Sequence, residues 1–167
     1  MQKNYVVIGY GNWSKKIIQI NQKINNQFKL EGIFYKSQPN NDFYKSNKEI
    51  FYSNWKRMVI KVRPKIVIVS LPPFLNIKVL DFLKNKNFVK KILIEKPICV
   101  SKKDSNYLNT LTKNYSKKIF VHYLDIHSKS LKYLLSKKIH FNKIYMHISG
   151  PSYLRKDMNP FWEYSPH

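Results

Sequence analysis

The sequence contains a single cysteine, no alanine and only four glycines among 167 residues. The lone Cys99 cannot form an internal disulfide, which is typical of a protein from a reducing compartment. The longest apolar run begins at Ile66, and Pro72 and Pro73 interrupt it well before it could cross a bilayer. The apolar stretch that follows Lys3 is too brief for a signal peptide. We therefore expect a cytoplasmic protein without a membrane partner.

Acidic residues are also scarce, which leaves a formal net charge of +22 and raises the question of nucleic-acid binding. Only three of the 31 basic residues, Arg57, Arg63 and Arg155, are arginine, the residue that base and phosphate recognition favours. The lysines are spread along the chain and do not form blocks. This composition is typical of an AT-rich coding sequence, so a lysine-rich nucleic-acid-binding protein is the less favoured interpretation.

Hydrophobic residues make up 43% of the chain, enough for a packed core, and their spacing alternates between strands and helices. Short apolar runs predict strands at residues 4–8, 29–35, 66–71, 91–94 and 119–123. Apolar stripes at helical spacing lie between them, one from Trp13 to Ile24 and another from Phe51 to Val62. Asn76 can cap the helix after the third strand. The series predicts an α/β fold, a doubly wound parallel sheet of the Rossmann type, over residues 1–121.

The pattern changes from about residue 122. A predicted helix at residues 130–138 and a predicted strand at residues 143–149 lead into a proline- and aromatic-rich segment, residues 150–167. We interpret residues 122–167 as the incomplete start of a second, α/β substrate domain.

The run Gly9-Tyr10-Gly11-Asn12-Trp13-Ser14 follows the first predicted strand and opens the first predicted helix. In this context the first glycine permits a tight turn and the second lets the backbone approach a pyrophosphate, whose charge the helix N-terminus stabilises. Ser14 stands where Gly or Ala is usual, and it is small enough for close packing of helix on strand. The motif predicts a dinucleotide site; an ordinary glycine turn is the alternative.

The end of the second predicted strand lacks the carboxylate that normally binds the adenosine ribose. Lys36 and Ser37 stand there instead and would suit a 2′-phosphate, which favours NADP slightly over NAD. In so lysine-rich a chain, a solvated Lys36 without a ligand is an equally good explanation.

The run Ile94-Glu95-Lys96-Pro97 lies at the carboxyl end of a predicted strand, where open α/β sheets bind their ligands. A neighbouring Glu and Lys can also be a surface pair of little energetic weight. Its place after a buried strand, in order with the glycine motif, favours function. Together the two motifs indicate a nicotinamide-dependent oxidoreductase.

Two further segments, Leu71-Pro72-Pro73 and the terminal Phe161-Trp162-Glu163-Tyr164-Ser165-Pro166-His167, complete a resemblance to the Gfo/Idh/MocA family, the glucose-fructose oxidoreductase and inositol dehydrogenase group. The resemblance covers the whole chain but only about half of a typical member. It implies a two-domain fold, an NAD or NADP cofactor and a small-molecule sugar or polyol substrate. The position of Trp13 resembles members that act on nucleotide-linked or other modified sugars.

The resemblance also implies roles for individual residues. Lys96 would contact the nicotinamide ribose and the reacting hydroxyl, and His167 would be the general base, assisted by Glu163 at a position where the family usually has Asp. Asn76 replaces a histidine that is common in the family. The implied cofactor-binding residues are Gly9, Gly11, Asn12, Trp13, Ser14, Lys36, Ser37, Leu71, Pro72, Glu95, Lys96 and Pro97, the last often through a cis bond.

No metal site is predicted, because His122, His127, His140 and His147 lie on different predicted elements and no paired cysteine accompanies them. The chain stops at the implied catalytic base, and we therefore expect a truncated enzyme that is a poor catalyst alone. A non-catalytic dinucleotide-binding fragment, a subunit of a split enzyme completed by a C-terminal chain, and a homo-oligomer are the alternatives.

Overall fold

The computed structural model of this protein describes residues 2–24, 27–37, 39–115, 118–123 and 128–137. It distinguishes two compact units, Met1–Val121 and His122–His167, which are treated separately below. Most of the helix predicted at residues 130–138 is present, as α6 (Lys129–Ser136). The strand predicted at residues 143–149 and the segment carrying Glu163 and His167 lie outside the described residues.

Strands and helices alternate from residue 3 to residue 122. They are β1 (Lys3–Ile8), α1 (Asn12–Lys23), β2 (Phe28–Phe34), α2 (Asp42–Ser46), β3 (Phe51–Tyr52), α3 (Trp55–Val62), β4 (Ile66–Val69), α4 (Asn76–Leu83), β5 (Lys91–Glu95), α5 (Lys102–Tyr115) and β6 (Ile119–His122). Short 3-10 turns, Lys48–Ile50 and Pro73–Leu75, precede β3 and α4. No helix in the described part of the chain is long and apolar enough to cross a membrane.

Two helix starts differ from the sequence-based expectation. Phe51 was assigned to a helical stripe, but it lies in β3, and α3 begins only at Trp55. The reason is local, because the side chain of Asn54 accepts a hydrogen bond from the N–H of Arg57 at 3.1 Å and caps α3 there. Asn76 was expected to cap α4, but the residue at the cap is Leu75 and the Asn76 side chain makes other contacts.

The six strands form one sheet in the order β3-β2-β1-β4-β5-β6, which confirms the predicted doubly wound α/β fold. The pairs β1–β2, β1–β4, β2–β3 and β4–β5 are parallel. The strand order reverses between β1 and β4, and ligands bind beside this switch point in open α/β sheets. Ile8 pairs with Val69, and Val69 pairs with Ile94, so three strands end side by side.

Side chains that alternate along the strands build a core on each face of the sheet. Val6 and Ile8 of β1 face the helices α3, α4 and α5, where Met58, Leu80 and Leu83 are fully buried. The other face is covered by α1 and contains Tyr5, Val7, Tyr10, Ile18, Ile33 and Ile68. Burial of apolar side chains on both faces explains why the central strands are almost wholly apolar. The carboxyl ends of these strands are thereby held side by side, and we call this end of the sheet its carboxyl edge.

Candidate functional site

The turn after β1 lies against the end of β4. Gly9 has a φ of +105°, and a Cβ added to it would lie 2.1 Å from the carbonyl oxygen of Ser70. Its N–H donates to the carbonyl of Phe34 at 3.0 Å, which also ties the turn to β2. Only glycine combines this backbone conformation with so close an approach of two backbone segments.

Gly11 lies at the open side of the same turn. It is the residue before α1, with a φ of −86° and no side-chain cap. A Cβ added to Gly11 would meet no atom within 4 Å. The first N–H groups of a helix attract anions, and a residue without a side chain leaves the approach to them open. The turn at Gly11 therefore fits a pyrophosphate, because the space that a pyrophosphate would need before α1 is free.

Ser14 fills the third position of the motif. It is completely buried under the start of α1, and its hydroxyl donates to the carbonyl of Gly11 at 2.9 Å. Asn12 and Trp13 are exposed beside it, and the Lys16 ammonium lies 5.0 Å from the centre of the Trp13 ring. A small side chain at position 14 thus lets α1 pack closely while its N-terminus stays accessible.

An aromatic cluster supports the turn, and the sequence analysis did not identify it. Tyr10, between the two glycines, is buried and packs against Tyr35, Phe43 and Phe51, with ring centres 5.8, 6.2 and 5.2 Å away. Burial raises the pKa of the Tyr10 phenol, and a hydrogen bond with Asn41 offsets part of this rise. The phenol is therefore neutral at physiological pH. Tyr10 is visible within the motif, but its aromatic partners are distant in sequence, so the motif alone could not predict the cluster.

The residues after β2 stand at the same edge of the sheet. The N–H of Tyr35 donates to the carbonyl of Tyr52 at 3.3 Å, while Tyr35, Lys36 and Ser37 are all exposed. The described residues that directly follow β2, 35–37, include no carboxylate. The end of β2 therefore presents an amine and a hydroxyl to solvent, in the place where an adenosine ribose would be recognised.

The second motif continues from β5 at this edge. Because Ile8, Val69 and Ile94 are paired in register, Gly9, Ser70 and Glu95 each follow one residue later. Glu95 and Lys96 are half-buried, Pro97 is buried, and the Lys96–Pro97 peptide is cis. Leu71 and Pro72, both half-buried, come between the two motifs at the end of β4. The structure thus brings the glycine turn and Lys96 to one edge, on either side of β4.

Asn76 contacts the loop that follows Lys96. Its Nδ2 donates to the carbonyl oxygens of Pro97 and Ile98 at 3.3 and 3.2 Å, and it does not cap α4 because its own backbone is already helical. The residue is 1% exposed, and its Oδ1 has no hydrogen-bond partner among the residues that the structure describes. A buried, unpaired polar atom costs roughly 1–3 kcal/mol. The two hydrogen bonds that Asn76 donates to the loop offset this cost.

Cys99 follows this loop and offers a test of its packing. Burial raises the pKa of the Cys99 thiol, and the charge of Asp104 raises it further. We expect alkylation by iodoacetamide at neutral pH to be more than about tenfold slower in the native protein than in denaturant, because only the thiolate reacts. The rate should increase only at a more alkaline pH than for an ordinary cysteine. Rapid labelling of the native protein, followed by mass spectrometry, would contradict the packing of this loop.

The structure does not describe the rest of the predicted site. Glu163 and His167, the predicted catalytic pair, lie outside the described residues. Among those that are described, no three His, Cys, Asp or Glu side chains are grouped so that they could hold a metal ion. The described groups at this edge are backbone N–H groups, the amines of Lys36 and Lys96, the Ser37 hydroxyl and the Glu95 carboxylate.

Comparisons with known proteins agree with this geometry. The fold resembles the myo-inositol 2-dehydrogenase of Lactobacillus plantarum with a TM-score of 0.69 and 14% identity, covering 81% of this chain and 40% of that one. For the scyllo-inositol dehydrogenase of Lactobacillus casei, solved with NAD(H) and scyllo-inositol, the TM-score is 0.65, the identity 16% and the coverages 81% and 40%. For the WlbA dehydrogenase of Chromobacterium violaceum, solved with NADH and UDP-GlcNAcA, the TM-score is 0.67 and the identity 15%. The match covers 80% of this chain and 39% of that one.

At these identities the likeness shows the fold, and the chain spans about two fifths of the length of the solved relatives it matches. No protein of curated function matches the sequence. A family model described as the oxidoreductase family with an NAD-binding Rossmann fold matches residues 3–123. The chain therefore belongs to the Gfo/Idh/MocA oxidoreductase family.

Proposed function

We propose that this protein is the dinucleotide-binding part of an oxidoreductase that transfers hydride between nicotinamide and a hydroxyl-bearing carbon of a sugar, sugar nucleotide or polyol. The observation that carries the proposal is the register of β1, β4 and β5, which aligns Ile8, Val69 and Ile94. This alignment puts the glycine turn and Lys96 on two sides of the switch point. The substrate class is supported by the inositol and UDP-sugar ligands of the structural relatives.

Three groups of residues are proposed to bind the cofactor. Gly9, Gly11, Asn12, Trp13 and Ser14 would surround the pyrophosphate, since the space beside Gly11 is open. Lys36 and Ser37 would lie at the 2′ position of the adenosine ribose, where NADP carries its phosphate. Leu71, Pro72, Glu95, Lys96 and Pro97 would line the nicotinamide half. When bound, the nicotinamide supplies or accepts the hydride.

The chain's own residues would handle the proton. The Lys96 ammonium is a compact charge with three N–H donors, suited to orienting a substrate hydroxyl and stabilising negative charge on its oxygen. His167 is proposed as the base that takes the hydroxyl proton, with Glu163 as its partner. A positioned base accelerates such a step by about a hundred- to ten-thousandfold.

The division of the chain is part of the same proposal. We assign residues 1–121 to dinucleotide binding and residues 122–167 to the beginning of a substrate domain. The division between the two units at Val121 and the family match that ends at residue 123 support this boundary. We propose further that a second copy of this chain or a complementing C-terminal chain would complete the substrate site. The proposed location of the protein is the cytoplasm.

A substitution of Lys36 tests the choice of cofactor. With an amine and no carboxylate after β2, NADPH should bind at least as tightly as NADH. Lys36→Ala should weaken NADPH binding by about fivefold, as expected for an exposed charge contact, and leave NADH binding unchanged. Lys113→Ala, at the far end of α5, removes the same charge and is the matched control. A clear preference for NADH that persists in Lys36→Ala would show that Lys36 does not select the cofactor.

Fluorescence titrations of NADH and NADPH against the whole chain test the main proposal, followed by turnover assays with polyols and UDP-sugars. We expect dinucleotide binding in wild type, weaker but measurable binding in Lys96→Ala, and loss of any turnover in Lys96→Ala. Absence of binding to both dinucleotides would overturn the proposal. Binding without turnover is expected of this part alone, and turnover restored by a complementing C-terminal chain would separate it from a non-catalytic dinucleotide-binding subunit. Oligonucleotide binding that weakens with salt, without dinucleotide binding, would favour the lysine surface instead.

A further inference from the structure

Asn76 is a polar residue in an apolar place. It begins α4, one turn before Val79 and Leu80, which are both 1% exposed and belong to the core. Asn76 itself is equally buried. Its two hydrogen bonds reach 21 and 22 residues along the chain, to the carbonyls of Pro97 and Ile98.

The orientation of this amide follows from its partners. Two carbonyl oxygens face the Asn76 side chain, and carbonyls only accept hydrogen bonds. Turning the amide around would set its oxygen against them, so Nδ2 must face the loop. Oδ1 is then left buried without a partner within the described part of the chain. An apolar side chain would avoid this unpaired atom but would leave the carbonyls of Pro97 and Ile98 without their donor, so the asparagine serves to hold the loop.

The loop that Asn76 holds is the one that carries Lys96. On one side Lys96 is joined to β5, which ends at Glu95 and pairs with β4. On the other side the two residues that follow it are held through their carbonyls by Asn76. The backbone of Lys96 is thus fixed from both directions, and a site residue needs such support to keep its geometry.

We propose that Asn76 is a positioning residue that sets Lys96 against the nicotinamide half of the bound dinucleotide. The inference rests on the proposed function, since it assumes that this edge binds the cofactor. Asn76 acts through the loop and need not touch the ligand. Loss of its amide should therefore affect the nicotinamide half and spare the adenosine diphosphate half, which depends on the glycine turn.

The test compares two probes, NADH and ADP, because ADP lacks the nicotinamide and its ribose. Asn76→Ala should raise the Kd of NADH by about tenfold, because Lys96 would no longer be held in place before the ligand binds, and change the Kd of ADP by less than about twofold. Asn76→Ser, whose hydroxyl is too short to reach the loop, should act in the same direction if the alanine variant does not fold. Asn76→His, which retains a ring N–H donor, should recover part of the NADH affinity.

Val79→Ala is the matched control, because it truncates a buried side chain of the same helix and leaves both hydrogen-bonding groups of Asn76 in place. It should lower thermal stability and leave the ratio of the NADH and ADP affinities unchanged. Equal weakening of NADH and ADP by Asn76→Ser, or no weakening of either, would overturn the inference while the proposed function stands. Failure of the wild-type chain to bind NADH, NADPH and ADP would overturn the proposed function, and the inference with it.

Discussion

Gly11→Val should fold normally and lose dinucleotide binding. Gly11 has a φ of −86°, which any residue adopts, and an added Cβ meets no atom within 4 Å. The valine side chain would therefore occupy the open space before α1 without straining the protein. A pyrophosphate requires that space to reach the helix N-terminus. We expect affinity to fall by about a hundredfold or more, which corresponds to roughly 3 kcal/mol of binding free energy.

Calorimetric titration of NADH and NADPH measures this loss, and urea unfolding provides the control. The unfolding midpoint of Gly11→Val should stay close to that of wild type, because a surface substitution typically changes stability by only about 0.5 kcal/mol. Gly11→Ala, with a smaller side chain, should fall between wild type and valine in affinity. Equal dinucleotide affinity in wild type and Gly11→Val would mean that the ligand does not bind at this turn.

Gly9→Ala, in contrast to Gly11→Val, should destabilise the fold itself. The new Cβ would lie 2.1 Å from the Ser70 carbonyl oxygen, on a residue whose φ is +105°. Backbone strain at a positive φ and overpacking each cost about 1–3 kcal/mol. Their sum is a large part of the roughly 5–15 kcal/mol that stabilises a domain. We expect a clear decrease in the urea midpoint or a loss of folded protein.

The two alanine variants of this turn form a matched pair. Gly11→Ala, two residues away, adds the same methyl group and should unfold close to wild type. If Gly9→Ala were as stable as Gly11→Ala, β1 and β4 could not approach each other as closely as the structure shows. The pair therefore separates a glycine required by the protein from a glycine required by the ligand.

Much of the fold could be predicted from the sequence, because buried parallel strands are continuous apolar runs. β1, β2, β4, β5 and β6 lie within a residue or two of the predicted segments. The short elements α2 and β3 were missed, since five and two residues contain too few positions for a periodic signal. Phe51 was consequently assigned to a helix that the Asn54 cap starts later.

The candidate site divides in the same way. The glycine turn and the Glu95-Lys96-Pro97 run are contiguous in sequence, so they could be identified as motifs. Ser14 is buried under α1 and Lys36 is exposed after β2, while the binding roles of both residues stay predictions. The roles of Glu163 and His167 remain predictions from the family resemblance.

The amino-acid sequence by itself determined the local features, since turn conformation, helix capping by Asn54 and strand formation depend on residues a few positions apart. Tertiary structure alone decided which features meet. The pairing of Ile8, Val69 and Ile94 brings residues more than eighty positions apart to one edge. Likewise, Asn76 was expected to cap its own helix, but its backbone is already helical after the 3-10 turn, and its Nδ2 donates to the carbonyls of Pro97 and Ile98 beyond β5. Contacts of this kind depend on packing between distant segments, which no local pattern of residues encodes.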